Sequence, residues 1–238
     1  MASSSYSLAF IDSGIASAQS QMQIDKELLL QGVVAPSLRV YGFVAGSITY
    51  GHFIRPEAWL KANYESAAQR PTGGGLIFHE GDFSFTLALP SDHFLVKKPT
   101  LERYQLINNI VLTSINRLLP AVCCSLQSGV KPEGIVEELC MANPTAYDII
   151  LDHKKVGGSA QRKTAKGFIH QCSLFVHPLQ WDTIAQKLLA PDVVLPKLQA
   201  FTGSIFSQDD CSSEQFFSSL KRTLHQELDI LLDQKTFH

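Results

Sequence analysis

The sequence predicts an α+β domain in which strands run in meanders and helices lie between them. The first observation is a set of short apolar stretches rich in β-branched and aromatic residues, which are typical of strands. The second is a group of segments whose apolar residues recur every three or four positions, as in amphipathic helices. The two kinds of segment do not alternate regularly along the chain, so a parallel sheet built from βαβ units is not expected.

The first third of the chain is predicted to contain one long helix and several strands. Residues 18–31 place apolar side chains near helical spacing, and Gly32 provides a stop. A short helix is expected at residues 56–66. Apolar, β-branched stretches predict strands at residues 8–11, 38–44 and 47–53. The first of these is expected to end in a turn at residues 12–14, and the other two to pair with each other.

The clearest periodicity in the chain lies at residues 100–119. Apolar residues recur there every three or four positions and Pro99 lies beside the start, which predicts a helix. Residues 83–89 alternate apolar and hydroxyl side chains, as a half-buried strand does. Further elements are predicted as strands at 76–78, 147–151 and 172–176 and as helices at 181–189 and 213–232.

Length and composition favour a single domain over residues 1–238. The formal net charge of −2 and the lack of a long basic run argue against a nucleic-acid partner. The sequence contains neither a signal-peptide pattern nor eighteen consecutive apolar residues, so no membrane partner is expected. Five cysteines without a Cys-x-x-Cys pair indicate free thiols in a cytoplasmic protein, and neither a disulfide nor a metal site is predicted.

The stretch from Arg70 to Glu80 has the features of a ligand-binding loop. Three consecutive glycines, at residues 73–75, allow positive φ and a close approach of the backbone to a bound group. Arg70 adds a fixed cation and His79 a titratable donor. A loop of this kind at the edge of a sheet suits a polar or acyl-carrying ligand. The same pattern is also typical of a turn that only connects two strands.

A second chemical region extends from Cys140 to Gln161. Lys155 is followed by glycines at residues 157–158, which predict a second glycine turn carrying a lysine. The two glycine turns are expected to meet at one end of the sheet. Taken without further information, Cys140 is most simply a small buried hydrophobe and Lys155 a solvated surface lysine.

Four motifs in a fixed order resemble the biotin/lipoate protein ligase superfamily: Phe10-Ile-Asp-Ser-Gly, Arg39-Val-Tyr-Gly, Arg70-Pro-Thr-Gly-Gly followed by His79, and Lys155-Val-Gly-Gly-Ser-Ala-Gln. The resemblance covers most of the chain, from Phe10 to Val176. It implies a mixed, largely antiparallel sheet flanked by helices. It also implies a cytoplasmic enzyme of lipoate assembly that attaches an octanoyl or lipoyl group to a lysine of a lipoyl carrier domain.

Within this superfamily, Cys140 favours the cysteine-dependent octanoyltransferases. Its segment, Cys-Met-Ala-Asn-Pro-Thr-Ala-Tyr-Asp, resembles the Cys-Phe-x-Ala-Pro-Ser-x-Tyr-Glu segment of those enzymes, at the same spacing from Lys155. The resemblance implies an acyl carrier protein as donor, no cofactor, and Cys140 as nucleophile. A thiolate is both a good nucleophile and a good leaving group. A nearby ammonium lowers the pKa of a thiol and steadies an oxyanion, which is the role predicted for Lys155.

The predicted substrate contacts come from both glycine segments, namely Arg70, Thr72, Gly73, Gly74, Gly75, His79, Gly158, Ser159 and Ala160. Gln69 replaces the first arginine of the family's usual pair, and His170-Gln171 reverses its usual order. Two alternatives therefore stay open. One is an ATP-dependent lipoate–protein ligase, which would use ATP and Mg²⁺ and in which Lys155 would contact the acyl carboxylate and the adenylate phosphate. The other is a non-catalytic acyl- or carrier-binding protein.

Overall fold

The computed structural model describes residues 7–61, 67–128, 139–207 and 213–233. Within these ranges the chain forms strands β1 (Ala9–Ala16), β2 (Ser37–Phe43), β3 (Ser47–Tyr50), β4 (Ala67–Gln69), β5 (Ile77–His79), β6 (Phe83–Leu89), β7 (Ser125–Leu126), β8 (Ile149–Leu151), β9 (Lys154–Thr164) and β10 (Gly167–Leu174). The helices are α1 (Ala18–Gln31), α2 (Phe94–Lys97), α3 (Thr100–Leu118), α4 (Trp181–Lys187), α5 (Pro191–Phe201) and α6 (Ser213–Asp233).

Seven of the strands form one large sheet in the order β1, β2, β6, β10, β9, β8, β7. β1 runs parallel to β2, and the other neighbouring strands are antiparallel. The three remaining strands form a small sheet in the order β4, β3, β5. The predicted fold class, with a mixed and largely antiparallel sheet flanked by helices, is confirmed.

Helices cover both faces of the large sheet. α3 and α6 pack on one face, where their apolar side chains join those of β2, β6 and β10 in the largest core cluster. α1 lies on the other face, fixed by buried polar contacts to β2, β6 and β10. A second core cluster joins the small sheet to α4, α5 and the segment Leu139–Ala142. The active-site candidates lie where this second cluster meets β9 of the large sheet.

Several predicted elements have the expected bounds. α1 begins and ends where the periodicity placed it, with Ser17 accepting a hydrogen bond from the Ser20 backbone N–H at its start and Gly32 at its end. α3 and α6 also match their predicted ranges to within one residue. The long amphipathic patterns were reliable because many turns of helix share one apolar face.

Other elements differ from the prediction. β1 does not end at residues 12–14 but continues to Ala16 across a register shift. β2 and β3 do not pair with each other, because β2 lies between β1 and β6 while β3 belongs to the small sheet. β6 is buried along its whole length, since helices cover both faces of the sheet there. Of the helix predicted at 56–66, the described part is a single 3-10 turn at Pro56–Ala58, and residues 62–66 lie outside the described residues.

The largest correction concerns the predicted second glycine turn. Residues 155–161 lie inside β9, the longest described strand, where Lys155 pairs with β8 and residues 157–161 pair with β10. The glycines there do not turn the chain but leave space beside it. Helices α2 and α5 were not predicted from the sequence; α5 carries Pro196 inside it, which weakens the helical signal.

Candidate active site

Cys140 and Lys155 meet at the start of β9, an inner strand of the large sheet. Cys140 begins a 3-10 turn at Cys140–Ala142, and Lys155 is the second residue of β9. The Lys155 Nζ lies 3.7 Å from the Cys140 Sγ and donates a hydrogen bond of 2.8 Å to the Cys140 carbonyl oxygen. The cysteine is half-buried while the lysine is only 2% exposed. The structure therefore brings the predicted thiol and amine into direct contact.

Asp148 completes this group, and sequence reasoning assigned it no role. Its Oδ2 lies 2.7 Å from the Lys155 Nζ, and the carboxylate is as deeply buried as the lysine. The same oxygen accepts hydrogen bonds from the Thr145 backbone N–H at 2.8 Å and from the Thr145 hydroxyl at 3.0 Å. The sequence did contain a signal for Asp148: it ends the Cys140 segment at the position where the transferase pattern has the Glu of Tyr-Glu.

The protonation state of Lys155 follows from two opposed effects. Burial alone lowers the pKa of Lys155, because it disfavours the charged amine. The attraction of the Asp148 carboxylate and of the nearby Cys140 outweighs burial, so the pKa of Lys155 is raised overall. Lys155 is thus an ammonium at neutral pH, suited to stabilise negative charge on a thiolate or an oxyanion and unable to act as a base.

Gly158 makes room for the lysine side chain. A Cβ placed on Gly158 would lie 2.5 Å from the Lys155 Cε and 2.8 Å from its Nζ. The lysine can therefore fold back along its own strand toward Cys140 only because residue 158 has no side chain. The missing side chain of Gly158 thus determines where the Lys155 amine can lie.

For the acyl transfer that the resemblance implies, the variant Gly158→Ala is expected to lower the rate by about 10-fold or more, because the added methyl group pushes the ammonium away from Cys140. The measurement is the transfer rate to a lipoyl carrier domain together with the thermal unfolding temperature. A transfer rate in Gly158→Ala equal to that of the wild type would contradict the proposed role of the space beside Lys155.

The glycine-rich loop lies directly over the thiol. Gly74 has a φ of +87°, and a Cβ on it would lie 3.6 Å from the Cys140 Sγ. Arg70 is buried and holds the loop by donating to the carbonyl oxygens of Gly73 at 3.2 Å and Gly75 at 2.6 Å. It also donates to the Thr49 hydroxyl. These contacts make Arg70 a residue that fixes the loop above Cys140.

His79 is held inside the protein by both of its ring nitrogens. Nε2 lies 2.8 Å from the Thr49 hydroxyl and Nδ1 lies 2.9 Å from the Asp82 carboxylate. Its ring stacks on Phe43, with centroids 3.8 Å apart. With 1% of its surface exposed and both ring nitrogens bonded, His79 is a buried residue that supports the site from within the protein.

His170 and Gln171 are consecutive in β10, so their side chains lie on opposite faces of the large sheet and have different neighbours. Gln171 points toward α1, accepts a hydrogen bond of 2.5 Å from the Thr72 hydroxyl, and donates one of 2.6 Å to Asp25. Asp25 is in turn paired with Arg39 at 2.7 Å. Gln171 is therefore the residue that ties the glycine-rich loop to the core.

His170 lies on the opposite face, toward α3. Its Nδ1 is 3.0 Å from the Gln161 side-chain nitrogen, and its ring lies near those of Phe85 and Tyr104. The ring is completely buried, and its Nε2 has no hydrogen-bond partner among the described residues. Burial lowers the pKa of His170 from 6.5 to about 3, so the ring is neutral at physiological pH.

A pH-dependent stability follows from this buried histidine. Between pH 6.5 and about 3 the unfolded chain binds a proton at His170 that the folded protein does not bind. The free energy of unfolding should therefore fall as the pH decreases through this window, by up to about 1.4 kcal/mol per pH unit. Urea unfolding at pH 7 and pH 5 tests this for the wild type and His170→Gln. We expect the loss of stability on acidification to be smaller in the variant; an identical loss in both proteins would contradict the assignment.

Two cavities meet at Cys140. The outer cleft, of about 230 Å³, lies between the glycine-rich loop and β9 and is lined by residues 73–75, Tyr104, Cys140, Asn143, Thr145, Lys155 and 159–161. The inner cavity, of about 20 Å³, runs beneath the loop and is lined by Met22, Tyr41, Phe43, Thr49, Arg70, Ile77, His79, Cys140, residues 158–160 and 171–173. Cys140 lies at the junction, with the polar group of Lys155 on the outer side and apolar side chains on the inner side.

The site residues predicted from the sequence lie close together around Cys140, but they line different parts of the site. Residues Gly73, Gly74, Gly75 and Lys155 line the outer cleft, Arg70, His79 and Gly158 line the inner cavity, and Ser159 and Ala160 line both. Thr72 lies behind the loop, bonded to Gln171. The residues that sequence reasoning missed are those that support the site from distant elements. One is Asn108 of α3, which accepts a hydrogen bond of 2.9 Å from the Ser159 hydroxyl.

Two further properties concern the described part of the chain. It contains no group of three or more His, Cys, Asp or Glu side chains placed to hold a metal ion. None of its helices has both the length and the apolar content needed to cross a membrane. Cys123, Cys124, Cys140 and Cys172 are free thiols, and Cys211 lies outside the described residues.

Comparison with curated proteins shows that the chain is similar to octanoyltransferases. It is 27% identical over 194 residues to the octanoyltransferase LipM of Bacillus subtilis, covering 76% of this chain and 69% of that protein. It is 26% identical over 174 residues to LipM of Geobacillus kaustophilus, covering 68% of this chain and 62% of that protein. The chain thus spans about two thirds of the length of these relatives.

Comparison with solved structures shows the same fold in lipoate-protein ligases. A lipoate-protein ligase A bound with ATP has a TM-score of 0.69 at 18% identity, covering 93% of this chain and 85% of that one. A putative lipoate protein ligase from T. acidophilum with bound lipoic acid has a TM-score of 0.66 at 17% identity, covering 94% and 85%. Residues 49–178, more than half of the chain, match the Biotin/lipoate A/B protein ligase family. The resemblance drawn from the four motifs is therefore confirmed, and the chain belongs to the Biotin/lipoate A/B protein ligase family.

Proposed function

We propose that this protein is an octanoyltransferase of lipoate assembly that works through a thioester on Cys140. The observation that carries the proposal is the contact between the Cys140 Sγ and the Lys155 Nζ, 3.7 Å apart, at the junction of the two cavities. The likeness to octanoyltransferases supports the transferase over the ligase alternative. The acyl donor is an acyl carrier protein, the acceptor is a lysine of a lipoyl carrier domain, and both meet the enzyme in the cytoplasm.

In the first half-reaction, the Cys140 thiolate attacks the carbonyl carbon of the octanoyl thioester. A carbon–sulfur bond forms to Cys140, the bond to the carrier's sulfur breaks, and the carrier thiolate leaves and takes up a proton from solvent. The Lys155 ammonium, held charged by Asp148, lies where it stabilises the thiolate before attack and the oxyanion that develops during it.

In the second half-reaction, the neutral amine of the acceptor lysine attacks the Cys140 thioester. The amide bond forms, the bond to the Cys140 Sγ breaks, and the attacking nitrogen loses a proton to solvent. The departing thiolate returns to the same ammonium that stabilised it at the start. No step needs ATP or a metal ion, because the thioester already supplies an activated acyl group.

The two cavities divide the substrates between them. The inner cavity has aromatic and aliphatic walls, which suit the apolar tail of an octanoyl group. The outer cleft opens beside Lys155 and Asn143, where the polar thioester arm or the acceptor lysine would enter. Cys140 faces both spaces, as a residue must if it accepts the acyl group from one partner and delivers it to another.

The ATP-dependent ligase remains the second candidate, because the solved structures of this fold include a ligase with ATP bound. In that reaction Lys155 would contact the acyl carboxylate and the adenylate phosphate. A ligase has no need of a thiol 3.7 Å from that lysine, and this contact favours the transferase. A binding protein without catalysis likewise has no need of the buried Lys155–Asp148 pair beside a half-buried thiol.

One experiment separates the three candidates. The protein is incubated with an apo lipoyl carrier domain and either octanoyl-acyl carrier protein without ATP, or free lipoate with ATP and Mg²⁺, and the carrier is weighed by mass spectrometry. We expect product in the first mixture alone. Product in the second mixture alone would establish the ligase, and product in neither would leave the binding protein.

A further inference from the structure

The inner cavity is too small for the acyl group assigned to it. Its volume of about 20 Å³ holds roughly one water-sized group. An eight-carbon tail attached to Cys140 therefore enters only if part of the cavity wall moves. The part that can move decides in which direction the tail extends, and how long a tail the protein accepts.

Most of the polar and aromatic walls are fixed. Tyr41 bonds through its hydroxyl to Asp25 at 3.1 Å and lies 3.2 Å from the Thr86 hydroxyl. Phe43 is stacked on His79, and His79 is bonded at both ring nitrogens. Moving any of these side chains breaks buried polar contacts or leaves an aromatic ring without its neighbours.

Met22 of α1 differs from these residues. It is buried, and among the described residues its Sδ accepts one weak hydrogen bond, of 3.6 Å, from the Gln171 side-chain nitrogen. A methionine has three rotatable side-chain bonds and no branch, so it changes conformation at little cost. Among the apolar residues that line the inner cavity, Met22 is the one best able to move aside.

Behind Met22 lies a second and larger space, which we call the α1–β4 cleft. It has a volume of about 740 Å³ and lies between α1, β3, β4 and the hairpin of β9 and β10, with Leu29, Tyr50 and Ala68 among its apolar lining. Met22 and Arg70 are the two described residues that line both this cleft and the inner cavity. Arg70 is fixed by its hydrogen bonds to Thr49 and the glycine-rich loop. Met22 alone therefore forms a movable partition.

We propose that Met22 sets the length of the acyl chain that this protein accepts, by closing the inner cavity against the α1–β4 cleft. The inference rests on the proposed function and deepens it. An octanoyl tail displaces the methionine side chain and ends against it. A longer tail has to pass the methionine into the cleft, which the side chain blocks.

Replacing Met22 with alanine tests this proposal. We compare kcat/KM for hexanoyl-, octanoyl-, decanoyl- and dodecanoyl-acyl carrier protein with the same apo carrier domain. In Met22→Ala the ratio of dodecanoyl to octanoyl transfer should rise by about 10-fold or more, since several methylene groups gain space. In Met22→Phe, which narrows the cavity, hexanoyl transfer should rise relative to octanoyl transfer. Leu232→Ala in α6 is the control: it removes a buried side chain of the main core cluster, far from Met22 in the fold, and should leave the ratio unchanged.

A second measurement tests the proposal without relying on turnover. Calorimetric titration of the wild type, Met22→Ala and Met22→Val with octanoate and with dodecanoate measures the affinity of the cavity for each chain length. Tighter dodecanoate binding in the two smaller variants supports the partition. Unchanged chain-length preference in both transfer and binding would overturn it. Wild-type protein that binds octanoate but transfers no octanoyl group would instead overturn the proposed function.

Discussion

Cys140→Ser is expected to lower octanoyl transfer by at least about 10³-fold while leaving the fold intact. A hydroxyl is far less acidic than a thiol, so it needs a base to become a nucleophile. The neighbouring Lys155 cannot supply one, because Asp148 raises its pKa and keeps it charged. Because Cys140 is half-buried and serine has a similar volume, we expect the free energy of unfolding to change little.

The measurement combines transfer rate with detection of the acyl-enzyme. Incubation with octanoyl-acyl carrier protein alone should add one octanoyl group to the wild type, removable by hydroxylamine, and none to the variant. Cys123→Ser is the matched control, since Cys123 is an exposed free thiol outside both cavities. Full activity in Cys140→Ser, or an acyl-enzyme formed on another cysteine, would end the transferase proposal.

Lys155→Met should produce the second large effect, a loss of transfer of about 10²-fold or more together with a loss of stability. Without the ammonium, negative charge on the thiol and on the oxyanion loses its nearest stabilising partner. The variant also leaves the Asp148 carboxylate buried and unpaired, which costs about 3–5 kcal/mol. Transfer kinetics and urea unfolding report the two effects separately.

A double variant separates catalysis from stability. Adding Asp148→Asn to Lys155→Met removes the unpaired charge, and the amide oxygen can still accept the Thr145 hydrogen bonds. Stability should recover toward that of the wild type while activity stays low. Recovery of activity along with stability would show that Lys155 serves only to neutralise Asp148.

The residues of the candidate site could be predicted from the sequence because they lie in short local patterns, and the structure places Cys140 and Lys155 next to each other. Cys140 and Lys155 stand at a spacing that the resemblance recognises, and the glycines that surround them are visible as glycines. The physical role of each glycine could not be predicted. The sequence predicts that Gly158 belongs to a turn, but it lies in β9, where its missing side chain leaves room for the Lys155 side chain. That role depends on a contact between side chains that no local sequence pattern encodes.

Supporting residues were missed where the partner lies far along the chain. Thr72 is 99 residues from Gln171, and Gln171 is 146 residues from Asp25, yet one chain of hydrogen bonds joins them. The predicted pairing of β2 with β3 was wrong for the same reason. The two strands are consecutive in sequence, but β2 pairs with the fully buried β6 in the large sheet, whereas β3 lies in the small sheet.

The sequence by itself determined the fold class and the long helices, and it predicted the two residues that we propose carry the chemistry, since each of these follows from a periodicity or a motif of fewer than about twenty residues. The tertiary structure alone decided which contacts those residues make. It placed Asp148 against Lys155, fixed Arg70 beneath the loop, and set Met22 between two cavities. These features depend on which surfaces are buried against each other, and burial is settled by the packing of distant segments rather than by any one of them.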